Sequence, residues 1–216
     1  MIYLIFEGQV LLFTLLLLAL IASLSFHEFG HALVAKLHGD DTAERAGRLT
    51  LNPVAHIDVF GLLMVVMVGF GYAKPVPTDP RNFRSRRADL WVAAAGPGMN
   101  LLLALVVWNA FLLLRSTGVD AAYTPGTETF VFLLVQVNLL LMVFNLIPIG
   151  PLDGHYILPH FLPPAAARSY RYYNARYGVY ALLGLIVLGV LGVPVFHYVM
   201  SIAQALLPLI TFAPMS

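Results

Sequence analysis

Cysteine is absent from this 216-residue chain. That excludes a disulfide framework, a thiolate nucleophile and any thiolate-held metal, so a bound metal must be held by His, Asp or Glu. Charge is nearly as scarce. Only 11% of the residues are Asp, Glu, Lys or Arg, against about 25% in a soluble globular domain. So few charges cannot cover a water-facing surface of this size. The net charge is +1, with no basic stripe or stacking platform, and nothing points to a nucleic-acid partner. Internal repeats and low-complexity linkers are missing as well. The N-terminus lacks a basic segment ahead of its apolar run, which is expected to persist as a membrane helix and not to be cleaved as a signal.

What fills the chain is apolar: 60% of it is hydrophobic, gathered into blocks free of charge at 10–26, 90–114, 129–152 and 177–216. A membrane span needs about 20 such residues. The expected fold is an all-α polytopic membrane protein with about five to six membrane helices. It forms one integral-membrane domain over 1–216, with a core at 8–162 and two additional membrane helices in 177–213. The first helix is expected from about Gly8 to Leu37, stopped by Gly39. Leu90–Leu114 and about Thr129–Leu146 are the next full spans. A short helix follows from Asp153 to about Leu162, then a basic loop, Arg168–Arg176. The segment 50–78 reads differently. Its apolar part, Ile57–Gly71, is short for a span, and Tyr72–Thr78 (Y-A-K-P-V-P-T) suits an extended edge. It is expected to form a short membrane-associated β-hairpin or re-entrant element. If 50–78 does not cross, every Lys and Arg except Arg115 falls on one side, eleven of the twelve. That bias puts the polar motifs towards the cytoplasm.

Two motifs carry chemistry. His27-Glu28-Phe29-Gly30-His31 is H-E-x-x-H. Positions i and i+4 share a helix face, so both imidazoles can reach one ion, with Glu28 beside it as a general base. Gly30 keeps the site uncrowded. Three ionisable residues closing an apolar helix are costly to keep there, which favours metal binding over chance. A catalytic zinc takes three protein ligands and leaves a position open. Asp153, in Asn145-Leu-Ile-Pro148-Ile-Gly-Pro151-Leu-Asp153-Gly154, is the only acid between Glu128 and the C-terminus. Alone it would be read as a helix N-cap; beside the first motif, a His-His-Asp site is preferred.

Together these motifs resemble the site-2 protease family of intramembrane metalloproteases. H-E-x-x-H on an early membrane helix and N-x-x-P-x-x-P-L-D-G on a later one are its paired signatures. L-T-L-N-P-V-A-H-I-D from Leu49 to Asp58, K-P-V-P at 74–77 and A-G-P-G-M-N at 95–100 resemble its smaller bacterial and archaeal members. The likeness implies one Zn2+ per chain on His27, His31 and Asp153, Glu28 as base, and Asn145 at the substrate carbonyl or oxyanion. It also implies a transmembrane protein substrate, cut in the bilayer of a bacterial or archaeal cell.

Other polar residues leave two readings each. His56 and Asp58 line the site or its water path, or they cap the hairpin. Asn100 serves the site, or bonds a neighbouring helix. His155 and His160 are rival ligands near Asp153. Val76 could pair its N–H with an unwound substrate, or its segment merely plugs the membrane face. Two alternatives to a protease stay open: a transporter with a buried ion site, and a non-catalytic membrane binding partner.

Overall fold

The computed structural model describes residues 1–68, 71 and 73–213 of the chain. The helices in chain order are α1 (Tyr3–Phe6), α2 (Val10–Leu37), α3 (Thr42–Arg45), α4 (Val59–Val68), α5 (Ala88–Ser116), α6 (Pro125–Asn145), α7 (Gly154–Ile157), α8 (Pro164–Val190) and α9 (Val195–Leu206), with short 3-10 turns between them. Local chemistry sets several of their ends. Thr124 caps α6, its hydroxyl accepting the Thr127 N–H, and Pro125 occupies the first helical position, where its missing N–H costs nothing. α2 stops at Gly39, whose φ of 102° lies in the left-handed region that favours glycine.

α2, α5 and α6 pack together as the central layer. Ala19 meets Leu134 and Val137 on one side of it, and Ala104 meets Val135 and Leu139 on the other. In lipid no hydrophobic force drives helices together, so close backbone approach and interhelical hydrogen bonds must hold them. Gly30 shows the closeness. A Cβ there would stand 2.8 Å from the Ala95 carbonyl oxygen and 2.5 Å from the Met99 side chain. Its smallness therefore serves the α2–α5 contact and does not clear the site.

Four helices are long and apolar enough to cross a membrane: α2, α5, α6 and α8. The five to six spans expected from the sequence are not reached among the described residues. The reason lies at the C-terminus. α8 starts at Pro164, so the expected basic loop 168–176 lies in its early turns, and the helix ends at Val190. The following α9 has only 12 residues and packs on α6.

The expected β-hairpin is also corrected. Among the described residues there is no strand. The apolar part of 50–78 is helix α4, ten residues long, or about 15 Å. That is half of a hydrocarbon core of about 30 Å. Residues 73–79 are irregular, and Tyr72 lies outside the described residues. The re-entrant alternative fits better. The Lys74 N–H donates to the His56 carbonyl at 2.9 Å, and the Lys74 carbonyl accepts from the Arg48 guanidinium. The segment thus leaves and returns at one place. Two prolines in four residues explain why this return does not build a ladder. Beyond it, buried Asp40 ties the end of α2 to the chain leading into α5. It accepts from Thr42, from the Asp79 N–H and from the Asn82 amide.

Candidate metal centre

His27 and His31 lie one turn apart on α2, against α5. His27 Nδ1 is 2.7 Å from Asn100 Oδ1. The amide nitrogen of Asn100 is committed as a donor, to the Ser23 carbonyl at 3.1 Å and to Asn138 Oδ1 at 2.7 Å. Asn100 Oδ1 is therefore an acceptor and His27 Nδ1 carries the proton. That leaves the Nε2 lone pair for a cation. His31 reaches the same state by a different partner, its Nδ1–H donating to the Val92 carbonyl at 2.7 Å. The two Nε2 atoms stand 3.1 Å apart. Asp153 closes the triangle, with Oδ2 3.2 Å from His27 Nε2 and Oδ1 3.4 Å from His31 Nε2.

These separations test whether zinc fits. Tetrahedral bonds of about 2.0–2.1 Å place neighbouring ligand atoms about 3.3–3.4 Å apart, close to the three distances observed. Asp153 Oδ2 is buried and accepts no hydrogen bond, as an oxygen reserved for a cation would be. Space is kept by Gly96 of α5. A Cβ there would lie 2.3 Å from His31 Nε2 and 2.6 Å from His27 Nε2. The donor set, two imidazoles and one carboxylate, is one that zinc takes. Among the described residues, no other group of three His, Asp or Glu side chains converges in this way. The side chains of His27, His31 and Asp153 are 6%, 12% and 16% exposed, so the site is enclosed without being sealed.

Asp153 arrives from a loop. α6 ends at Asn145, and residues 146–153 turn back to α7. Gly154 permits the turn, since a Cβ there would fall 2.3 Å from the Leu146 carbonyl oxygen. Asp153 occupies the N-cap position of α7, yet its side chain makes no capping bond. The carboxylate faces the histidines instead. Glu28 is buried beside His27, and its carboxylate has no hydrogen-bond partner among the described residues.

Asn100 fills both roles offered for it: it orients His27 and bonds α6 through Asn138. Sequence reasoning missed Ser23 and Asn138. Both are fully buried, and the Asn138 amide donates to Ser23 Oγ at 2.8 Å. Their signal was polarity within an apolar span. Asn145 is partly buried outside the ligand group, donating to the Leu141 carbonyl at 3.0 Å. His56 is buried and bonds the Thr50 carbonyl at 2.8 Å, and Asp58 accepts the Gly61 N–H at the start of α4. Both line a cavity of about 20 Å3 that Ser25 of α2 also lines, room for about one water. Val76 is half-buried, and its N–H has no partner among the described residues. His155 turns to the Leu152 carbonyl at 2.7 Å and His160 to Asp89 at 3.2 Å, so neither competes for the ion.

The family model for Peptidase family M50 matches residues 15–124 and 114–189. "Putative zinc metalloprotease YwhC" of Bacillus subtilis is 43% identical over 152 residues, 69% of each chain. The similarly named Rip2 of Mycolicibacterium smegmatis is 34% identical over 163 residues, 73% of this chain and 61% of Rip2. MJ0611 of Methanocaldococcus jannaschii, also so named, is 27% identical over 151 residues, 69% of this chain and 72% of the relative. No solved structure matches the chain.

Proposed function

Because the chain belongs to peptidase family M50, we propose that it is an intramembrane zinc metalloprotease of the H-E-x-x-H type. It hydrolyses a peptide bond within or near the transmembrane segment of a membrane-protein substrate. The observation that carries this reading is the convergence of His27, His31 and Asp153, with the buried Glu28 next to His27 on α2. A zinc ion on those three ligands, one per chain, supplies Lewis acidity and lowers the pKa of a water from 15.7 to about 7.

The chain's own residues divide the rest of the work. Glu28 takes the proton from the attacking water as the new C–O bond forms. It returns that proton to the leaving nitrogen as the C–N bond breaks. Asn145, at the mouth of the Asp153 loop, turns its amide from the Leu141 carbonyl to the substrate oxygen, where negative charge develops. Asn100 and the Val92 carbonyl hold the imidazoles in the correct tautomer throughout.

A membrane helix shields its own peptide bonds with hydrogen bonds, so the substrate must unwind before attack. Residues 73–78 offer the unwound stretch a backbone edge, with the Val76 N–H, unpartnered among the described residues, as a donor. Water enters by way of the small recess beside α2, where His56, Asp58 and Ser25 interrupt a mostly apolar lining. The enzyme sits in a bacterial or archaeal cell membrane with the site towards the cytoplasm. The charge bias supports that orientation, and the ten-residue length of α4, short for a span, is in keeping with it.

The test is Glu28→Gln in the purified full chain. The wild type should hold about one zinc and cleave a model transmembrane substrate. The variant should keep the zinc and lose nearly all cleavage, because an amide cannot accept the proton. Near wild-type turnover in the variant would remove Glu28 from its role. A zinc-free wild type would overturn the metal assignment and favour a silent binding partner.

A further inference from the structure

The three ligands differ in how they are held. His27 and His31 belong to a 28-residue helix, and each ring is fixed by a hydrogen bond to α5. Asp153 stands on the irregular stretch 146–153, and among the described residues its carboxylate meets only the two histidines. Most backbone bonds of that stretch are local. Ile147 bonds to Phe144, Ile149 to Ile147, and Leu152 to Ile149. Bonds of this kind shape a turn without fixing where it sits relative to the histidines.

Two hydrogen bonds reach beyond the flanking helices α6 and α7, and both involve α8. The Gly150 N–H donates to Asn174 Oδ1 at 2.9 Å, and the Tyr170 hydroxyl donates to the Pro148 carbonyl at 2.8 Å. Among the described residues these are the only hydrogen bonds from 146–153 to an element other than α6 and α7, apart from the approach of Asp153 to the histidines. Tyr170 and Asn174 are four residues apart, so they lie on one face of α8. Gly178 comes one turn later on the same face, where a Cβ would stand 3.1 Å from the Gly150 nitrogen and 2.8 Å from Asn174 Oδ1. From the loop side, a Cβ on Gly150 would stand 2.6 Å from Asn174 Nδ2. Loop and helix thus meet with no space for adjustment. The rest of α8 is largely exposed: Ala167, Gly178 and Leu182 are its buried residues. The helix rests on the molecule along a narrow stripe, and the Asp153 loop lies under that stripe.

We infer that Tyr170 and Asn174 are positioning residues for the third metal ligand. α8 acts as a brace that holds the backbone of 148–150 where Asp153 completes the site. Neither side chain touches the metal ligands. They act through two backbone groups, one carbonyl and one N–H, on the turn that delivers the carboxylate. This inference rests on the metal reading of the site. It adds a dependence of metal affinity on a helix outside the central layer, and residues that support metal ligands typically govern affinity or activity by about 10- to 100-fold.

The experiment compares Asn174→Leu, Tyr170→Phe, Asn174→Asp and Leu182→Ala in the full chain, reconstituted in lipid discs. Zinc affinity is measured by chelator competition, and the melting temperature is measured on the zinc-free protein. Asn174→Leu removes the acceptor and should weaken zinc binding by about 10-fold or more. Tyr170→Phe should weaken it less. Asn174→Asp keeps an acceptor for the Gly150 N–H and should restore affinity to within about 3-fold of wild type, a conservative rescue that a general packing defect would not show. Leu182→Ala trims the same stripe away from the loop; it should lower the zinc-free melting temperature and leave zinc affinity unchanged. Wild-type zinc affinity in both Asn174→Leu and Tyr170→Phe would overturn the brace. So would equal zinc loss in Leu182→Ala. Absence of zinc from the wild type would instead defeat the metal reading itself, so the two failures are distinct.

Discussion

At the scale of single residues, the centre depends on one missing atom. Gly96 faces both imidazoles, and the Cβ it lacks would occupy the ligand cradle. Gly96→Ala should therefore abolish zinc binding although no ligand is altered. Helix α5 should survive, since Ala is the better helix former. Metal analysis together with far-ultraviolet circular dichroism separates the two outcomes. A folded Gly96→Ala protein with one zinc would show that the histidines can move aside. His27, Glu28 and His31 were legible in the sequence because helical spacing alone brings i and i+4 together. Gly96 was quoted only as part of a resemblance. Its role follows from a helix crossing, which no local pattern encodes. Asn138 and Ser23 were equally hidden: their partners lie 38 and 77 residues away at Asn100.

At the scale of elements, the spans were easier to read than the pieces between them. α2, α5 and α6 follow the apolar blocks closely, because a helix is the only open-ended way to satisfy a backbone in lipid. The region 50–78 was expected to form a β-hairpin or a re-entrant element, and its apolar part is a short helix. Two contacts on Lys74 bring the chain back after that helix, one from the His56 carbonyl within the segment and one from the Arg48 guanidinium outside it. They leave the Val76 N–H open among the described residues. Val76→Pro removes that donor without touching a ligand. The expected result is unchanged zinc content with strongly reduced cleavage of a transmembrane substrate. Unchanged cleavage with normal expression would eliminate edge pairing through Val76 and leave the segment as a plug.

At the scale of the whole molecule, the absence of cysteine becomes a tool. A cysteine introduced at one site is the only thiol in the chain, so labelling with a membrane-impermeant reagent has no background. Single cysteines at Ser85 and Ala166 should be protected in intact cells and react after the membrane is opened. One at Gly118 should react from outside. Ser85 labelled from outside would mean that the chain crosses between 57 and 71 and would reverse the proposed orientation of the site. The same topology gives α8 its place. Its early turns carry the basic stretch 168–176, where Tyr170 and Asn174 meet the Asp153 loop, and it is long and apolar enough to cross a membrane from there.

The sequence by itself determined the environment and the donor atoms. Scarce charge and long apolar blocks require a membrane, the lack of cysteine limits ligands to His, Asp and Glu, and one turn of helix joins His27 to His31. It also singled out Asp153 as the only acid in the last 88 residues. Tertiary structure alone decided that the Asp153 carboxylate faces those histidines and does not cap α7. It alone made Gly96 the floor of the cradle, Asn100 the partner of His27, and α8 the support of the loop. The physical reason is the range of the interactions. Periodicity and composition act within a few residues along the chain. A metal centre needs atoms within about 3 Å of one another, and here these come from residues 126 positions apart, brought together by helices packed through glycine and asparagine.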